Sequence, residues 1–100
     1  MRQPPETCRN MTELRAAIDT LDAQIIDMLA ERARYIDRAA DLKQQAGLPA
    51  RIDSRVEEVA DKARANAQRA GFDPDLAEKI WRQMIEWSIL REERAMAADT

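Results

Sequence analysis

The sequence contains no histidine, one cysteine, two glycines and four aromatic residues among its 100 positions. Without histidine, and with Cys8 alone, the usual zinc ligand sets cannot be assembled, and neither Ser-His nor Cys-His nucleophilic catalysis is possible. A disulfide framework within the chain is excluded on the same ground. No Gly-rich phosphate loop occurs. Few glycines and aromatics leave little turn or β-type composition, which favours an all-α fold. No run of about 18 apolar residues is present, and the N-terminal stretch "MRQPPETCRN" lacks an apolar core, so neither a membrane span nor secretion is expected and the default location is cytoplasmic. A net charge of −3 gives no general electrostatic case for nucleic acid or an anionic membrane surface, so any cationic site must be local. If the chain is an enzyme, its chemistry has to run on Arg, Lys, Asp, Glu, Ser and shape.

What the chain does have is amphipathic periodicity. Its 45% apolar and 35% charged residues describe one soluble domain over residues 1–100, with a frayed arm at 1–10 and a tail at 97–100. Asn10 followed by Glu13 reads as a capping box, opening a helix that meets no Gly or Pro until Gly47 and Pro49. Ser54 and Glu57 form a second capping pair, for a helix that starts at Asp53 or Ser54, follows Val56, Val59, Ala63 and Ala67, and stops at Gly71. Asp73 as N-cap and Pro74 at the first helical position open a third helix that runs to about Met96. The spacing thus predicts three helices: long, short and medium.

On the first helix, apolar side chains recur at Leu14, Ile18, Leu21, Ile25 and Met28, the alternation one helical face requires. A helix of some 35 residues spans about 52 Å, more than the girth of a compact domain of this size. Such a stripe is best buried against a second copy, which predicts an intertwined homodimer. The same steps continued land on Arg32, Ile36, Ala39 and Lys43, placing two cations on a face meant to be dry. Arg32 and Lys43 are about three turns apart and only about 20° out of phase. On the third helix, Ser88 and Glu92 stand at i and i+4, in phase with Trp81, Ile85 and Met96.

Each of these polar residues has a bland reading. Arg32 or Lys43 can lay its stem on apolar surface with its head in water. Ser88 can bond its own helix backbone, and Glu92, inside "REER", can be a solvated charge. Together, however, two cations, a hydroxyl and an acid in apolar walls describe a pocket for a small dicarboxylate. Arg15 lies about 25 Å before Arg32 along the helix axis, so it can join the same small ligand only from the other chain.

"LRAAIDTLDAQIIDMLAERARYIDRAADLK", "RIDSRVEEV" and "IWRQMIEWSILREE" together resemble the all-helical chorismate mutase family, over roughly residues 11–95. The resemblance implies an intertwined helical dimer with two sites, each taking an arginine from the partner's long helix. It implies the pericyclic conversion of chorismate to prephenate, which needs no nucleophile, metal or proton transfer. By the same resemblance Arg15 of the partner chain and Arg32 clamp carboxylates, Lys43 bonds the ether oxygen and a carboxylate, Arg55 lines the site, and Ser88 assists a carboxylate. Glu92 falls beside the ether oxygen, where it can donate only when protonated, so activity is expected to fall as pH rises.

Two departures from the family pattern stand out. Val56 and Ile52 occupy positions where mutases carry acids, although a shift of one residue brings Asp53 to the second. Isochorismate pyruvate lyases, on the same scaffold, also lack the first acid, and their arm resembles "PPETC". Against that branch, Glu92 replaces the glutamine expected there, and "EWSILREE" reads more like a mutase. A non-catalytic helical dimerisation module is the alternative of another class.

Overall fold

A computed structural model describes residues 2–98. Within them the chain forms a 3-10 turn at Pro5–Thr7 and three helices, α1 (Met11–Ala46), α2 (Asp53–Ala70) and α3 (Pro74–Ala98), with no strand among the described residues. The all-α expectation and the long-short-medium order therefore hold. The chain divides into two compact units, one ending at Arg34 and the other beginning at Tyr35, with α1 running through the boundary.

In the first unit, Asn10 caps α1 as its sequence demands: its Oδ1 accepts the Glu13 backbone N–H at 2.9 Å. The return bond of the capping box differs, because Glu13 Oε2 accepts from the backbone N–H of Arg9 at 2.9 Å. Within the arm, Pro5–Thr7 form the 3-10 turn. Thr7 Oγ1 and the Thr7 backbone N–H both donate to the Pro4 carbonyl, at 2.8 and 3.0 Å. Arg2 Nη1 reaches Gln24 Oε1 at 2.6 Å, so arm and helix enclose a groove of about 470 Å³ lined by Pro4, Pro5, Leu14, Ala17, Ile18 and Leu21.

In the second unit, α1 and α2 end on the same device. Gly47 (φ 70°) and Gly71 (φ 75°) are left-handed, the conformation in which a residue without Cβ is unstrained. Each lets the chain fold back on the last helical turn: Leu48 N–H donates to the Lys43 carbonyl and Phe72 N–H to the Ala67 carbonyl, both at 2.8 Å.

The start of α2 corrects the expected Ser54–Glu57 cap. The N-cap is Ile52, with extended backbone and no side-chain cap bond, and its own carbonyl accepts the N–H groups of Arg55 and Val56 at 2.9 and 3.0 Å. Asp73 caps α3 as expected, Oδ1 accepting from the Asp75 and Leu76 N–H groups at 2.9 and 3.3 Å. α3 reaches Ala98, so residues 97 and 98 of the expected tail are helical, while 99 and 100 lie outside the described residues.

α2 packs on α3 through small side chains: Ala60, Ala63 and Ala67 are buried on one, Ala77, Ile85 and Ile89 on the other. Alanine brings helix backbones close and loses almost no side-chain entropy when buried. Ala50, Ile85 and Ile89 form an apolar cluster, with Val56, Val59 and Met96 packed against it.

Candidate active site

The periodicity that places Ile85 and Ile89 in the apolar cluster also turns Ser88 and Glu92 inward, because residues three and four apart share a helix face. Ser88 is 5% exposed and Glu92 3% exposed, so neither is a solvated surface residue. A carboxylate at that depth requires a compensating charge. Lys43, on the last turns of α1, supplies it: Nζ donates to Glu92 Oε1 at 2.7 Å and to Oε2 at 3.2 Å. The lysine's third bond goes to the Ala50 carbonyl at 2.6 Å. An ammonium has three donors, and all three are directed at the protein.

The end of α1 produces this arrangement. Once Gly47 reverses the chain, the Lys43 carbonyl is bonded by Leu48 N–H, and the loop returns to set the Ala50 carbonyl on the Lys43 ammonium. Ala50 is itself 6% exposed and part of the apolar cluster, so the ion pair sits at the edge of a dry surface. Gln44 Nε2 donates to the Met96 carbonyl at 3.3 Å and adds a second link between the end of α1 and α3.

Of the residues singled out from the sequence, Lys43 and Glu92 are in direct contact, and Ser88 lies buried one turn before Glu92. Arg55 has an exposed side chain at the start of α2, where Nη1 bonds Glu58 Oε1. That bond, reinforced by Lys62, holds the Glu58 carboxyl below its ordinary value. Val56 is half-buried against the apolar cluster, so this wall is apolar where an acid was the family expectation. Arg15 and Arg32 belong to the first unit; Arg15 is exposed and Arg32 half-buried.

Sequence reasoning missed the Ala50 carbonyl, since a backbone acceptor has no residue-type signature. It also missed the exposed pair of Arg91 with Asp37, whose Nε–Oδ1 distance is 2.6 Å, and the stacking of Arg91 over Trp87 at 5.3 Å from the ring centroid.

With a buried hydroxyl one turn away, Lys43 can donate a hydrogen bond to an oxygen that gains charge by releasing one of its three protein acceptors. No nucleophile–base pair is needed for that kind of chemistry. The chain matches the chorismate mutase type II family over residues 14–93. It is 30% identical over 82 residues to the T-protein of Enterobacter agglomerans, covering 82% of this chain and 22% of that protein. It is 30% identical over 89 residues to the isochorismate pyruvate lyase of Pseudomonas aeruginosa, covering 88% of this chain and 86% of the lyase. With the chorismate mutase of Methanocaldococcus jannaschii it shares 29% identity over 76 residues, 76% of this chain and 77% of that enzyme. The chain thus spans about a fifth of the T-protein and most of the other two.

Proposed function

Because the chain belongs to the chorismate mutase type II family, we propose that it is a cofactor-free chorismate mutase of aromatic amino-acid biosynthesis, acting in the cytoplasm as an intertwined homodimer. In this proposal residues 1–100 form one catalytic domain. The observation that carries it is the buried Lys43–Glu92 pair, anchored by the Ala50 carbonyl at the edge of the apolar cluster. Salt bridges at such depth add little stability on their own, since desolvation consumes most of the Coulombic gain. Function is a better reason to keep one there.

The proposed reaction breaks a carbon–oxygen bond and forms a carbon–carbon bond within one molecule. The protein has only to hold the reactive conformer and stabilise the charge that gathers on the ether oxygen. Arg32 and Arg15 of the partner chain grip the two carboxylates as bidentate forks. Lys43 turns one donor to the ether oxygen, and Ser88 supports a carboxylate. Glu92 faces the same oxygen and is useful there only with a proton.

Dimerisation is supported by the first unit, where Ile18, Leu21, Ile25, Ile26 and Met28 are 38–69% exposed. Uncovered apolar side chains in such a row call for a partner surface. A second copy supplies it and brings Arg15 with it.

The runner-up is isochorismate pyruvate lyase, favoured by the coverage of the Pseudomonas aeruginosa enzyme. The test is to give the purified protein chorismate and isochorismate separately and to detect prephenate and salicylate. Prephenate as the far better product supports the mutase, and salicylate moves the chain to the lyase branch. Neither product leaves the non-catalytic helical module.

A further inference from the structure

The carbonyl that holds Lys43 lies in the short connection between α1 and α2, and that connection is itself tied down. Arg51, the residue after Ala50, forms a two-pronged ion pair with Glu86 of α3: Nη1 bonds Oε1 at 3.0 Å, and Nη2 bonds Oε2. The two residues are 35 positions apart in sequence, so the pair is a tertiary link and not a local helix contact. Glu86 follows Ile85, which packs in the cluster with Ala50. The loop is therefore fixed at adjacent residues, by the Ala50 side chain in the cluster and by the Arg51 guanidinium at its rim.

We propose that Arg51 is a positioning residue: through its pair with Glu86 it holds the α1–α2 connection so that the Ala50 carbonyl and Glu92 together aim the Lys43 ammonium. The inference rests on the assignment of Lys43 to the active site made above.

The physical basis is geometric. The backbone after Gly47 contains Leu48 and Pro49, and a loop leaving a helix through a left-handed residue has to be held at its far end if one carbonyl is to stay within 2.6 Å of an ammonium. Ala50 presents only a methyl group to the cluster, a small anchor. The two-pronged pair adds direction, because a guanidinium fork fixes the carboxylate plane. The field around Arg51 agrees with a lasting cation: Glu86, with smaller contributions from Asp53 and Glu93, raises its pKa, and Arg51 in turn lowers that of Glu86.

The test compares Arg51→Ala, Glu86→Gln and the charge swap Arg51→Glu with Glu86→Arg, following chorismate turnover and, independently, the 15N signal of the Lys43 ammonium. Both partners are partly exposed, so the effect is moderate: each single variant lowers kcat by about threefold to tenfold with a smaller change in KM, a range suited to a rim ion pair. The Lys43 ammonium signal weakens through faster hydrogen exchange. The swap restores both readouts to within about twofold, because the pair and not the individual charge is what matters. Single variants with unchanged kcat and unchanged ammonium exchange overturn the proposal, as does a swap no better than either single change. If the unmodified protein turns over neither chorismate nor isochorismate, the functional assignment fails, and the ammonium signal still decides whether Arg51 positions Lys43.

Discussion

Between Leu21 and Ala30 every residue of α1 is exposed, Ile25, Ile26 and Met28 included, although this is where the apolar stripe is most regular. From Ala40 on, the pattern is reversed. The buried residues of the second unit are chiefly alanines, with Ile85 and Ile89, and they share the interior with Ser88 and Glu92. A regular stripe of large apolar residues is thus uncovered, while an irregular one carrying charge is closed. The difference teaches that periodicity states which face should be buried and says nothing of what covers it. The second unit finds its cover in α2 and α3, and the first leaves its stripe exposed, the face on which the proposed second copy would pack.

Breaking the charged half should have the largest effect. Lys43→Met removes the donor proposed for the ether oxygen and leaves Glu92 buried without its cation, so kcat/KM for chorismate should fall roughly 10²–10³-fold or more. Retention of activity near the parent level would remove Lys43 from the mechanism. Breaking the apolar half comes next. Ile25→Glu places a charge in the middle of the exposed stripe, and sedimentation should show single chains in place of dimers. If Arg15 is supplied in trans as proposed, activity should fall with assembly. A charged variant that sediments unchanged and stays active would mean that this face is not the interface.

The closed half can also be tested by volume. Ala60 is fully buried in the α2–α3 contact, so Ala60→Leu should destabilise the protein by about 1–3 kcal/mol in urea unfolding as the helices are pushed apart. A neutral result would indicate a looser contact than the buried alanines imply. The smallest effect concerns the rim of the same contact. Arg82 bonds Glu57 and Glu78 and holds both carboxyls below their ordinary value of 4.5. Such depressed carboxyls add stability above pH 4.5 and lose it as pH falls through their folded values. Arg82→Leu should therefore be less stable than the parent at neutral pH, and the gap should close in acid. A gap independent of pH would assign the effect to packing by the arginine stem.

Much of this architecture was legible in the residues. Asn10, Asp73 and Gly71 act at the helix ends as their chemistry dictates, and α1 ends just before Gly47. The start of α2 at Asp53 was read correctly but its cap was not, because Ser54 and Glu57 satisfy a capping pattern from inside a helix whose N-cap is Ile52. At the site, helical phase alone set Ser88 and Glu92 on the face of Ile85. Their burial, and the contact of Glu92 with Lys43 across 49 positions, had to be seen. The roles of Ala50 and Arg51 were not legible at all, since one acts through a carbonyl and the other through a loop whose path depends on Gly47.

The most direct test of the central claim, that Lys43 and Glu92 form the catalytic pair, compares chorismate turnover in Glu92→Gln and Glu92→Ala. A glutamine keeps the shape of the side chain and can donate to the ether oxygen, whereas an alanine removes the group. The glutamine variant should therefore stay active while kcat of the alanine variant falls about 10²-fold or more. An alanine variant with the parent's kcat would contradict the assignment of Glu92 and, with it, the pairing on which the site is built.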